Sequence, residues 1–121
     1  MTFKQSDRIA LLDTKIFLDE HYNDEIRIKQ LSQRTGVNPL KLQLGFRILF
    51  NRPIYTYLTH LRMTTAAELL INTELSIKEI AVACGYNRCS DFTKLFKKNF
   101  GKSPKIYRNH QLNALLMGCS L

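Results

Sequence analysis

The sequence predicts an all-α protein: two helix-turn-helix subdomains joined by a long linker helix. Three observations predict it. The chain repeats itself, reading IKQLSQRTGVNPLKLQLGFRILFNRPIYTYL from Ile28 and IKEIAVACGYNRCSDFTKLFKKNFGKSPKIY from Ile77. Gly36 matches Gly85 at an offset of 49, and Leu42, Phe46, Phe50 and Tyr57 match Phe92, Phe96, Phe100 and Tyr107 at an offset of 50. The one-residue slip falls in the turn after the glycine, where an insertion is cheap. A repeat of this length is one supersecondary unit used twice. Apolar residues in both copies recur at helical spacing, and Asn38-Pro39 and Ser103-Pro104 each combine an N-cap with a proline at the first helical position.

The first helix is expected from about Arg8 to His21. Asp7 can cap it, and Ile9, Leu12, Ile16 and Phe17 supply its apolar face. Asn23-Asp24 makes the next turn. A second helix runs from Ile28 to Gly36, a residue suited to the left-handed position that ends helices. Its start is weakly specified, because Arg27 stands where Ser or Thr would cap better. A third helix opens at Asn38-Pro39, with Leu42, Phe46, Leu49 and Phe50 as one buried stripe. Lys41, Gln43, Leu44 and Arg47 face away from it.

Asn51 ends the third helix, and Pro53 starts a fourth that reaches about Ile71. It has no internal Gly or Pro and would be roughly 27 Å long, a stiff spacer. Ser76 with Glu79 forms a capping box for the fifth helix, which ends at Gly85. The sixth is capped near Asn87, turns Phe92, Phe96 and Phe100 inward, and stops at Gly101. The last starts at Ser103-Pro104 and runs through Tyr107. The organisation is therefore a first lobe over 7–52, a linker helix over 53–72, a second lobe over 73–109 and a C-terminal tail over 110–121. The tail either extends the last helix or packs on the body.

Charge narrows the function. The chain of 121 residues has a formal net charge of +8 and a pI of about 9.6, which favours a polyanionic partner. Between Tyr86 and Arg108, seven cations (Arg88, Lys94, Lys97, Lys98, Lys102, Lys105, Arg108) face one acid, Asp91. No apolar run reaches the roughly 18 residues that span a bilayer, and no signal segment is present, so a soluble cytoplasmic protein is expected. Cys84, Cys89 and Cys119 are odd in number and include no CxxC pair, which argues against a disulfide framework and a zinc site. Cys84 reads as a small buried hydrophobe and Cys119 as a tail residue. His21, His60 and His110 lack metal spacing. No metal or cofactor site is expected. Nor is an enzyme: the chain has no paired carboxylates, no nucleophile–base arrangement and no glycine-rich phosphate loop.

In a helix-turn-helix the first helix braces the second, which lies in the DNA major groove and turns its outward face to the bases. The second copy, IKEIAVACGYNRCSDFTKLFKKNFGKSPKIYR, resembles the signature region of the AraC/XylS-type bacterial transcription regulators. The resemblance covers about Asp7 to Arg108. It implies seven helices in two helix-turn-helix subdomains, recognition helices in successive major-groove segments on one face of double-stranded DNA, and a role in transcription regulation. RNA polymerase is the further partner it implies.

By family position the first recognition helix offers Leu40, Gln43 and Leu44 to bases and Lys41 and Arg47 to phosphates. Gln43 can pair bidentately with adenine, whereas Leu40 and Leu44 can touch only thymine methyls or sugars. The second recognition helix offers Cys89, Ser90, Thr93 and Lys94, with Lys97 near phosphate. Lys94 fits guanine O6/N7 or a phosphate about equally. Gly45, in mid-helix, implies close approach of another packed element, and Arg62 a structural role. Relatives commonly carry a separate effector or dimerisation domain. Only about seven residues precede the first helix here, so that domain is expected to be absent from this chain. The alternative reading is a basic helical module that binds polyanions or membrane surfaces without sequence preference. It accounts for the charge but not for the repeated glycine turns.

Overall fold

The computed structural model describes residues 2–118. Among these residues seven helices follow one another: α1 Gln5–His21, α2 Ile28–Thr35, α3 Pro39–Phe50, α4 Ile54–Asn72, α5 Ile77–Ala83, α6 Cys89–Phe100 and α7 Pro104–Leu116. The described residues contain no strand. The chain divides into two compact units, Met1–Leu61 and Arg62–Leu121, so the division falls inside α4.

Most boundaries are set by short-range chemistry that the sequence displays. Gly36, Asn51 and Gly101 close α2, α3 and α6 in the left-handed region, with φ of 76°, 62° and 75°. Asn38 accepts the Lys41 N–H at 2.9 Å and opens α3, and Ser103 accepts the Ile106 N–H to open α7. Ser76 and Glu79 exchange two bonds, the Glu79 N–H to Ser76 Oγ at 3.0 Å and the Ser76 N–H to Glu79 Oε1 at 3.1 Å. The Ser76 N–H first, and then its hydroxyl, hold the Glu79 carboxyl below its ordinary pKa.

Three starts differ from expectation. α1 begins at Gln5 with Lys4 as its N-cap, and Asp7 sits at the third helical position, where its carboxylate accepts the Lys4 N–H at 2.7 Å. Asp7 thus closes the first turn from inside rather than capping it from outside. α6 begins one residue later than expected, with Arg88 rather than Asn87 as N-cap, because the Arg88 carbonyl already takes the Phe92 N–H. α4 likewise starts at Ile54, with the Pro53 carbonyl accepting the Tyr57 N–H.

The first unit packs Leu11, Leu18, Leu31, Leu42, Phe46, Ile54 and Leu58 into one core. α1 turns a different face inward from the one expected, and of the expected set Phe17 packs against the core. Ile9, Leu12 and Ile16 are exposed, while Leu11, Thr14 and Leu18 are buried. A buried threonine is tolerable here because its hydroxyl donates to the Ala10 carbonyl at 2.8 Å, leaving no polar atom unpaired. In α3, Leu42 and Phe46 are buried as expected but Leu49 is exposed. Phe50, the fourth residue of the expected stripe, is half-buried against the core, its ring 4.6 Å from that of Phe46.

The second unit packs Met63, Ala66, Ala67, Leu70, Ile80, Ala81, Cys84, Phe92 and Phe96. α4 thus supplies Ile54 and Leu58 to one core and Met63, Ala66 and Leu70 to the other. The ring clusters repeat between the units. Tyr57 meets Phe46 edge-on at 5.6 Å, and Tyr107 meets Phe96 edge-on at 5.3 Å. The Tyr57 hydroxyl also donates to Asp19, tying α4 to α1. α7 continues through Leu116, so the segment after His110 begins as helix, with Leu115, Leu116 and Met117 exposed. Cys119 lies outside the described residues.

Candidate nucleic-acid interface

In the first unit the α2–α3 turn is fixed from both sides. The Gly36 N–H donates to the Ser32 carbonyl at 2.9 Å, and the Ser32 hydroxyl donates to the Val37 carbonyl at 2.6 Å. Val37 is buried, which leaves Asn38 to start α3 at a set angle. The face of α3 turned from the core carries Leu40, Gln43, Leu44 and Arg47, all exposed. These four share one open groove of about 340 Å³ with Ile28, Pro53, Ile54 and Tyr55. The groove is lined mainly by carbon and includes no acid. It therefore offers apolar contact, one amide and one guanidinium, a set suited to base edges and a phosphate. Among the described residues no carboxylate lies within ion-pair distance of Arg47.

Lys41 is placed differently. Its ammonium is 2.8 Å from Asp7 Oδ2 and 5.5 Å from the centroid of the Phe3 ring. Gly45 explains why α3 can lie so close to the N-terminal segment. A β-carbon there would come within 2.7 Å of Phe3 Cε1 and 2.8 Å of Leu11 Cδ1. The mid-helix glycine thus serves packing between α3 and α1.

In the second unit the α5–α6 turn closes with Gly85 at a φ of 95° and the Tyr86 N–H donating to the Ala81 carbonyl at 2.9 Å. Along α6, Ser90, Lys94 and Lys97 are exposed, while Cys89 and Thr93 are half-buried. The Thr93 hydroxyl donates to the Cys89 carbonyl at 2.8 Å, so its hydrogen is already used within the helix. Lys94, Lys97 and Lys98 have no carboxylate within ion-pair distance among the described residues.

Not every cation of the basic stretch is part of this face. The Arg108 guanidinium donates to the Leu70 carbonyl at 2.8 Å and the Thr73 carbonyl at 3.4 Å, satisfying the end of α4. Lys102 Nζ lies 3.2 Å from His110 Nδ1. The Arg62 guanidinium stands 5.2 Å over the Tyr86 ring, inside the second unit. Burial raises the Tyr86 pKa and Arg62 opposes that rise. Cys84 is fully buried, and burial pushes its thiol up to about 11. Among the described residues no group of His, Cys, Asp or Glu could hold a metal ion, and no helix is long and apolar enough to cross a membrane.

Sequence reasoning missed the groove's other wall. Ile28, Ile54 and Tyr55 belong to helices other than α3 and come to it only through the fold. The signal at Tyr55 was a large ring at a position off the core stripe of α4. The Asp7–Lys41 contact joins residues 34 apart and left no trace in local spacing.

Residues 31–110, about two thirds of the chain, match the family described as "Helix-turn-helix domain". The chain belongs to the AraC-type helix-turn-helix family. It is 31% identical over 108 residues to the Msm operon regulatory protein of Streptococcus mutans, covering 89% of this chain and 39% of that protein. It is 29% identical over 104 residues to the regulatory protein SoxS of Escherichia coli, covering 86% of this chain and 97% of SoxS. The chain therefore spans about two fifths of one relative and nearly all of another. Among solved structures, the C-terminal domain of AraT, a response regulator from Geobacillus stearothermophilus, superposes with a TM-score of 0.81 at 30% identity, covering 84% of each chain. The DNA-binding domain of AdpA, solved with a target DNA, has the same fold, with a TM-score of 0.79 at 24% identity over 84% of this chain and 91% of that one. The AraC-type fold accounts for all seven helices and for the two glycine-turn units.

Proposed function

We propose that this protein regulates transcription by binding double-stranded DNA at specific sequences, with α3 and α6 each entering a major-groove segment. The observation that carries the reading is the composition of the outward faces of these helices. Each follows a helix and a glycine turn, and each exposes hydrogen-bonding side chains beside cations without carboxylate partners. In this reading Leu40, Gln43 and Leu44 meet bases from α3, and Cys89, Ser90, Thr93 and Lys94 meet bases from α6. Arg47 and Lys97 hold phosphates. A regulator bound beside a promoter meets RNA polymerase, and it does so in the bacterial cytoplasm; both belong to the same proposal.

Selection of binding sites from a random duplex library tests this directly. A regulator of this kind returns a defined motif, and random duplex in modest excess fails to displace that motif. Displacement of about half the bound motif by an equal concentration of random duplex would establish the competing reading, a charge-driven polyanion binder.

A further inference from the structure

Asp7 stands in the first turn of α1 and Lys41 in the first turn of α3. Their 2.8 Å contact joins side chains only 13% and 19% exposed, whereas the other ion pairs of the first unit are at least 37% exposed. The same carboxylate oxygen accepts the Lys4 N–H at 2.7 Å, and the Lys41 ammonium also faces the Phe3 ring. The Lys41 ammonium and the Lys4 N–H hold the Asp7 carboxyl below its ordinary range, so the carboxylate is charged at neutral pH. Surface pairs open cheaply, but breaking a mostly buried pair strands a charge away from water. A phosphate approaching α3 thus meets a lysine already engaged by a carboxylate and a ring, the carboxylate itself held by a backbone donor.

We propose that Asp7 is a positioning residue for DNA binding: it seats α3 against the N-terminal segment and withholds Lys41 from the phosphate backbone. The proposal rests on the DNA-binding reading above. Its consequence is that α3 holds phosphate through Arg47 alone. Affinity for DNA of any sequence is lower than the number of cations on α3 suggests, and base contacts carry a larger share of binding.

The test measures the salt dependence of binding of the whole chain to a random-sequence duplex. Lys41→Met keeps the aliphatic stem against Phe3 and removes the charge. Asp7→Asn keeps an oxygen for the Lys4 N–H and frees the lysine. Each cation that neutralises a phosphate adds about 0.9 to the magnitude of the log–log slope. Lys41→Met alone should leave the slope at the wild-type value. Asp7→Asn should steepen it by about 0.9 and tighten binding to random duplex several-fold. The double variant should return to the wild-type slope. A slope flattened by about 0.9 in Lys41→Met alone would show that Lys41 already contacts phosphate and would overturn the proposal. So would an unchanged slope in Asp7→Asn. Loss of folded protein lowers the active fraction without moving the slope, and if Asp7→Asn does not fold, Lys41→Met in the native background decides alone. A wild-type chain that binds no duplex would sink the DNA-binding reading itself, and this proposal with it.

Discussion

Gly45 lies so close to Leu11 that a β-carbon on it would stand 2.8 Å from Leu11 Cδ1. Leu11 is buried and cannot swing away without opening the core of the first unit. Phe3, whose Cε1 would be 2.7 Å from the same β-carbon, closes the other side. Gly45→Ala therefore sets two effects against each other. Alanine gains about 1 kcal/mol in helix propensity, while overpacking costs about 1–3 kcal/mol. The variant should be about 1 kcal/mol less stable, read as a lower urea midpoint at unchanged slope. Adding Phe3→Ala should recover part of the loss. A Gly45→Ala variant more stable than the wild type would show that the contact yields freely.

Arg108 and Lys97 look alike in the sequence, two cations in one basic stretch, but they should behave oppositely. Arg108→Ala removes a charged donor from the Leu70 and Thr73 carbonyls. It should cost about 2 kcal/mol of stability and leave the salt slope of DNA binding unchanged. Lys97→Ala should leave the melting temperature near the wild-type value and reduce the slope by about 1. Paired thermal melts and salt titrations separate the two, and equal effects on both readouts would refute the division.

On α3 the distinction between reading and holding falls between Gln43 and Arg47, which line the same groove one turn apart. Gln43→Ala should lose about 1–3 kcal/mol on the preferred site and flatten preference at one base position. Arg47→Ala should weaken all sequences alike and reduce the salt slope by about 1. An unchanged base-preference profile in folded Gln43→Ala would move specificity to α6.

The two cysteines of the described second unit provide a footprint. Cys84 is buried with its thiol pushed up to about 11, and Cys89 is half-exposed on the candidate DNA face of α6. Alkylation at neutral pH should modify Cys89 in the native protein and Cys84 only after unfolding. A bound specific duplex should slow the reaction at Cys89. Peptide mapping by mass spectrometry reads each site separately, and a Cys89 rate indifferent to duplex would place that end of α6 away from DNA.

Most of the helical framework was legible because local chemistry specifies it. Asn38-Pro39, Ser76 with Glu79, and Ser103-Pro104 announce helix starts, while Gly36 and Gly101 announce ends, all within four residues of the bonds they make. The face of α1 was not legible. Ile9, Leu12 and Ile16 follow helical spacing as well as Leu11 and Leu18 do, and the buried set includes a threonine whose hydroxyl bonds within its own helix. Tertiary contact decides such ties. The same holds for the site: the outward positions of α3 and α6 follow from periodicity, but the enclosure of Lys41 by Asp7 and the diversion of Arg108 to the end of α4 are long-range events.

The paired ring clusters and the matching left-handed ends at Asn51 and Gly101 carry an implication about descent. A duplicated unit keeps what its interior demands and drifts elsewhere, so the two copies act as a two-line record of constraint. Phe46 and Phe96, both buried, have stayed identical, and Arg47 and Lys97 have kept their sign. The outward neighbours have parted company: Gln43 stands opposite Thr93, and Leu44 opposite Lys94. On the proposed binding mode, two readers so unlike should not spell the same word. The operator should then be two different half-sites rather than a repeated one, a lopsided address that would fix the direction in which the protein faces along the DNA.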